Sequence, residues 1–190
     1  MAFQVFVRQN TELPVFMSSM LQAPMLVCAY EKEAKFAILT ANGKTLTPNI
    51  DMLLTECGIT VDRDRFIVVG CEDVPGFDAV AKGEAVNPKI VQPGLVKKME
   101  EVCEKEPLLQ GILLECTELP AYADALRAST GLPVFDAITL VDFFHSSCAD
   151  NVRFGTNVKA GKAVGKPKPK AGVKKALKKK FRSGADNPDL

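Results

Sequence analysis

At 190 residues and 20.6 kDa, with 47% hydrophobic residues, the chain is long enough to bury a core and too apolar for a disordered polymer. Its formal charge of +1 hides two opposed parts: 12 Lys and Arg against 21 Asp and Glu over residues 1–150 (net −9), and 12 against 2 over residues 151–190 (net +10). One histidine and six cysteines without a CxxC pair argue against a zinc site, and no apolar run approaches the ~20 residues that cross a bilayer.

Taken in chain order, the pattern predicts an opening helix from Phe3 to Gln9, a strand from Val15 to Met20 and a helix from Pro24 to about Glu33. The apolar run Lys35 to Thr40 reads as a strand, Ala41-Asn42-Gly43 as a turn, and Thr47 to Cys57 as a helix with Gly58 at its C-cap. A strand from Phe66 to Gly70 and a helix from Pro88 to Lys105 follow. Then come a strand from Gly111 to Cys116, a helix from Ala121 to Thr130 closed by Gly131, a strand at Val134-Phe135 and a helix through His145. Five strands alternating with helices imply an α/β fold on a parallel sheet.

From Asn151 the composition turns to Lys, Ala, Gly and Pro, centred on KAGKAVGKPKPKAGVKKALKKK. Few large apolar residues remain to offset the entropy of ordering, so residues 151–190 read as a disordered basic tail behind a folded domain of residues 1–150. Such a tail is first of all a solvated appendage; nucleic acid or an anionic surface is the partner class that its charge could attract.

The stretch with most chemical content is ILLECTELPAYADALRASTGLPVFDA. Ile112-Leu113-Leu114 suits a strand buried on both faces, and its carboxyl end is where parallel sheets place their sites. Cys116 follows that strand and precedes a helix whose first turn holds Pro120, a setting expected to lower a thiol pKa and to attract anions. Glu115 and Glu118 read as capping charges. The other five cysteines read as reduced packing residues, and His145 as a surface or packing residue. Without a secretory leader pattern, a reducing, cytoplasmic setting is expected.

These residues resemble the second half of enzymes in the aspartate/glutamate (hydantoin) racemase superfamily. PVFMSSMLQAP is similar to the segment leading out of that family's first lobe, and FAILTANGKTL to the strand that opens its second; together the matches span most of Met1 to Phe144. The resemblance implies a pseudo-symmetric two-lobe fold. It also implies cofactor-independent racemisation of an amino acid or related small carboxylate, by thiols that move the proton beside the carboxylate. No cofactor and no metal are implied, and a homodimer is a candidate assembly. Cys116 matches the second-lobe catalytic thiol, with Thr117, Asn42, Thr40, Ser18 and Ser19 as substrate-binding positions. Met1 to Gln4 is similar to the helix just after the first-lobe thiol, so the first strand and first cysteine have no counterpart here. That departure leaves two alternatives: a single-thiol decarboxylase or isomerase of small diacids, or a noncatalytic binding protein with a polybasic tail.

Overall fold

Apolar runs that alternate with amphipathic segments become strands and crossover helices, because a parallel strand must bury both faces while its connection covers one of them. The computed structural model describes residues 3–60 and 62–148. In chain order the elements are α1 (Gln4–Gln9), α2 (Ala23–Ala29), β1 (Lys35–Thr40), α3 (Gly43–Leu46), α4 (Ile50–Glu56), β2 (Phe66–Gly70), α5 (Ala79–Lys82), α6 (Pro88–Lys105), β3 (Leu109–Leu114), α7 (Ala123–Thr130), β4 (Val134–Phe135) and α8 (Ala137–Ser147).

All strand pairs are parallel, in the order β2-β1-β3-β4. The chain leaves β1 for one neighbour, β2, and later returns to its other side as β3. The strand order therefore reverses between β1 and β3, which opens a crevice at their carboxyl ends. Along β1 the side chains divide between the two faces. Ala37 and Leu39 join Val91, Leu95 and Met99 of α6 and Leu126 of α7, whereas Phe36 and Ile38 join Leu26 of α2 and Leu53 and Leu54 of α4. This two-sided burial is why FAIL shows no polar alternation. At the carboxyl end of the sheet, α3 begins hard against β2: a Cβ on Gly70 would stand 2.6 Å from the Gly43 nitrogen, so only glycine allows the approach.

The parallel α/β architecture is as expected, but among the described residues the sheet has four strands and not five. Val15 to Met20 forms no strand. The Gln4 side chain, itself buried, donates to the Val15 carbonyl (2.8 Å) and accepts from the Met17 amide (3.0 Å), so a side chain takes the place of a ladder. The segment then enters a 3₁₀ turn, Ser19–Gln22, capped by the Ser18 hydroxyl, which accepts from the Met20 amide (3.2 Å). The helix starting near Pro24 also stops early, at Ala29. The basic segment from Asn151 lies outside the described residues, and among those described no helix is long and apolar enough to cross a membrane.

The six cysteines are unpaired with one another, as expected of reduced thiols, but their packing differs. Cys28 and Cys148 are exposed, Cys57 donates to the Met20 carbonyl (3.2 Å), and Cys71 is fully buried after β2. Burial pushes the Cys71 thiol from its usual 9.0 up to about 12. The unfolded thiol ionises near 9 and the folded one does not. The stabilisation is therefore complete below pH 9 and is lost as the pH rises toward 12. Between pH 8 and 10.5 this group alone should remove about 2 kcal/mol from the unfolding free energy. Urea unfolding at both pH values checks it: Cys71→Ala should give a visibly flatter pH dependence than wild type, and an equal slope would refute the assignment.

Candidate active site

The reversal point between β1 and β3 is built by backbone continuity. The Glu115 amide donates to the Leu39 carbonyl (2.8 Å), extending the β1–β3 ladder one residue beyond Leu114. Behind it the chain turns sharply, with the Leu119 amide bonding the Cys116 carbonyl (3.1 Å), and runs through a 3₁₀ turn at Pro120–Tyr122 into α7. The Ser19 hydroxyl donates to the Leu114 carbonyl (2.6 Å), pinning the Ser18-Ser19 segment against the end of β3.

A cavity of about 410 Å³ opens there. Its walls are Phe16, Met17, Ser18 and Ser19 from the segment before α2, Ala41 after β1, Glu115, Cys116 and Thr117 after β3, and Ala137, Leu140 and Val141 of α8. A buried polar lock holds α8 in place: Gln22 Nε2 donates to the Asp136 carbonyl (2.8 Å), Gln22 Oε1 accepts from the Thr139 hydroxyl (3.1 Å), and Asp136 Oδ1 caps α8 by accepting from the Thr139 amide (2.7 Å).

Of the residues singled out from the sequence, Cys116, Thr117, Ser18 and Ser19 come together on this wall. Thr40 lies one step behind it; its hydroxyl, in a residue 4% exposed, donates to Glu115 Oε2 (2.9 Å). Asn42 is spent elsewhere, as the N-cap of α3, where its side chain accepts from the Thr45 amide (3.0 Å). Glu115 does not act as a cap, because the Thr40 hydroxyl holds its carboxylate at the cavity. Phe16 and Met17 lie within PVFMSSMLQAP but carry no chemical signal of their own there, and the α8 residues carry no motif. Only the parallel pairing that sets Leu39 beside Leu114, and so Thr40 near Glu115, could have linked the last two from sequence.

The environment of Cys116 reverses one expectation. Its pKa is raised, not lowered: burial dominates, and the Glu115 and Glu118 carboxylates add to it, while the backbone N–H groups of Glu118 and Ala41 pull the other way. The thiol is thus mostly protonated at neutral pH, and the thiolate, when formed, is a comparatively strong base held among preorganised donors. Among the described residues no cluster of His, Cys, Asp and Glu could hold a metal ion.

No family model matches the chain. It is 49% identical over 162 residues to dimethylsulfoniopropionate lyase 7 of Emiliania huxleyi (strain CCMP1516), covering 83% of this chain and 47% of that protein. To dimethylsulfoniopropionate lyase 3 of the same strain it is 48% identical over 161 residues, covering 83% and 42%. To a dimethylsulfoniopropionate lyase of Durusdinium sp. clade D it is 45% identical over 157 residues, covering 83% and 52%. The chain spans about half the length of these relatives. Among solved structures it is similar to allantoin racemase from Pseudomonas fluorescens at a TM-score of 0.46 and 17% identity, over 77% of this chain and 60% of that one; so distant a likeness carries no argument.

These relatives overturn the resemblance to the aspartate/glutamate racemase superfamily, and with it the amino-acid racemisation that it implied. Proteins 45–49% identical over most of the chain are named lyases, not racemases. Nor do those names favour a diacid decarboxylase, an isomerase or a noncatalytic binding protein.

Proposed function

We propose that this chain carries the reaction site of a dimethylsulfoniopropionate lyase and that substrate reacts in the Cys116 cavity. The observation that carries this reading is the 45–49% identity to dimethylsulfoniopropionate lyases across 83% of the chain. The substrate is a propionate with a dimethylsulfonium group on the carbon β to the carboxylate, and its chemistry sets the demands. A base removes a proton from the carbon beside the carboxylate, that C–H pair becomes the new double bond, and the C–S bond breaks. Dimethyl sulfide leaves as a neutral molecule and acrylate remains. In this reading Cys116 Sγ, as thiolate, accepts the proton and becomes a thiol. The Ser18 and Thr117 hydroxyls meet the substrate carboxylate, whose charge grows as the α-carbon loses its proton. Buried Leu140 supplies an apolar part of the wall.

Purified chain incubated with dimethylsulfoniopropionate should release dimethyl sulfide, measured in the headspace by gas chromatography, and acrylate, measured by NMR, in equal amounts. Folded protein that raises neither product above the buffer rate would sink the reading.

A further inference from the structure

Among the described residues, Glu115 is the one carboxylate that lines the cavity, and no Lys, Arg or His lines it. A pocket of that kind repels a simple carboxylate and suits a ligand that brings its own cation. The carboxylate is also held in place. Its backbone is locked to β1 by the 2.8 Å bond to Leu39, and Oε2 accepts from the buried Thr40 hydroxyl at 2.9 Å. Phe16 and Met17 line the same cavity, and the Phe16 ring lies 4.9 Å from that of Phe144 in a tilted pair. An aromatic face and a fixed carboxylate are the two kinds of group that recognise a methylated onium ion, the ring through its quadrupole and the carboxylate through its charge.

We propose that Glu115, backed by Thr40 and sharing the cavity with Phe16, is the onium-recognition site of this cavity and selects substrates carrying a methylated cation over neutral isosteres. The proposal rests on the lyase reading for the identity of the substrate, but it concerns binding, not elimination. Glu115 is therefore a specificity residue, and the hydroxyl and amide groups on the Cys116 side are left to the substrate carboxylate. Binding a cation beside Glu115 also offsets one of the two carboxylate charges that add to burial in raising the thiol's pKa.

The test uses two ligands that do not react. 3-(Trimethylammonio)propionate and 4,4-dimethylpentanoate have the same shape and differ in the charge of one central atom. By calorimetry on the full chain, wild type should bind the ammonium compound at least tenfold more tightly. Glu115→Gln, which keeps an acceptor for the Thr40 hydroxyl and so the local fold, should bring the two ligands within about twofold. It should do so by weakening the cation and leaving the neutral acid unchanged or slightly tighter. A wild type without preference, including one that binds neither ligand, overturns the proposal, as does a preference that survives in Glu115→Gln. Dimethyl sulfide release is scored separately, so a failure of onium recognition and a failure of the lyase reading give different results.

Discussion

Cys116→Ala is expected to lower kcat for dimethyl sulfide release by about 10²–10⁴-fold, the usual contribution of a positioned general base, while leaving the melting temperature nearly unchanged. The cost falls on the chemical step because the thiol is half-buried at the edge of the core, where the Glu118 and Ala41 amides point at it. Cys116→Ser should be almost as damaging, since a hydroxyl is far harder to deprotonate than a thiol. The wild-type rate carries a second signature. Burial and the flanking carboxylates hold this thiol above its ordinary range, so its thiolate fraction, and with it kcat/KM, should climb with pH through neutrality and beyond the usual cysteine value. Cys116→Ala should flatten that alkaline limb. Glu115 is the rival base within the cavity. A Cys116→Ala protein that keeps wild-type turnover, and loses it when Glu115→Gln is added, would transfer the proton-accepting role to Glu115.

The parts of this site that could be read in the sequence are those encoded locally. Phe36 to Leu39 and Ile112 to Leu114 are continuous apolar runs because both faces of β1 and β3 are buried, and Cys116 stands out because it follows one of them. What was misread depends on contacts far apart in the chain. Val15 to Met20 looks like a strand by its apolar residues, but Gln4, 11 and 13 positions earlier, meets its backbone instead. Glu115 looks like a capping charge until register brings up Thr40, 75 positions away. The sign of the Cys116 shift was mistaken for the same reason. A thiol ahead of a helix is locally acidified, but Cys116 packs against the core cluster that Leu39, Leu114 and Leu119 share, and its burial wins. No substrate is legible in the motif: ECTELP is compatible with many carbon acids, and it is identity over 157–162 residues to proteins named lyases that turns the reading away from racemisation.

Arg65→Leu should be the most destabilising single change at a site remote from the cavity, lowering the unfolding free energy by about 3–5 kcal/mol. Arg65 is 3% exposed just before β2, and among the described residues no carboxylate pairs with it. Its guanidinium instead donates to four carbonyls: Ala34 (2.9 Å), Val27 (3.1 Å), Tyr30 (3.3 Å) and Glu31 (2.8 Å). It also lies 5.3 Å from the Phe36 ring centroid. Those carbonyls belong to α2 and to the turn that leads into β1, so one side chain fastens the first helix of the core to the edge strand. Leucine fills much of the volume but donates nothing, which leaves the four oxygens to find water in a closed space. Arg65→Lys should recover only part of the loss, because an ammonium has three donors on a point and not a planar fork. Urea unfolding of the three proteins at pH 7 decides it. A loss below 1 kcal/mol for Arg65→Leu would mean that these carbonyls are hydrated in solution and that the guanidinium is not what holds the edge of the sheet.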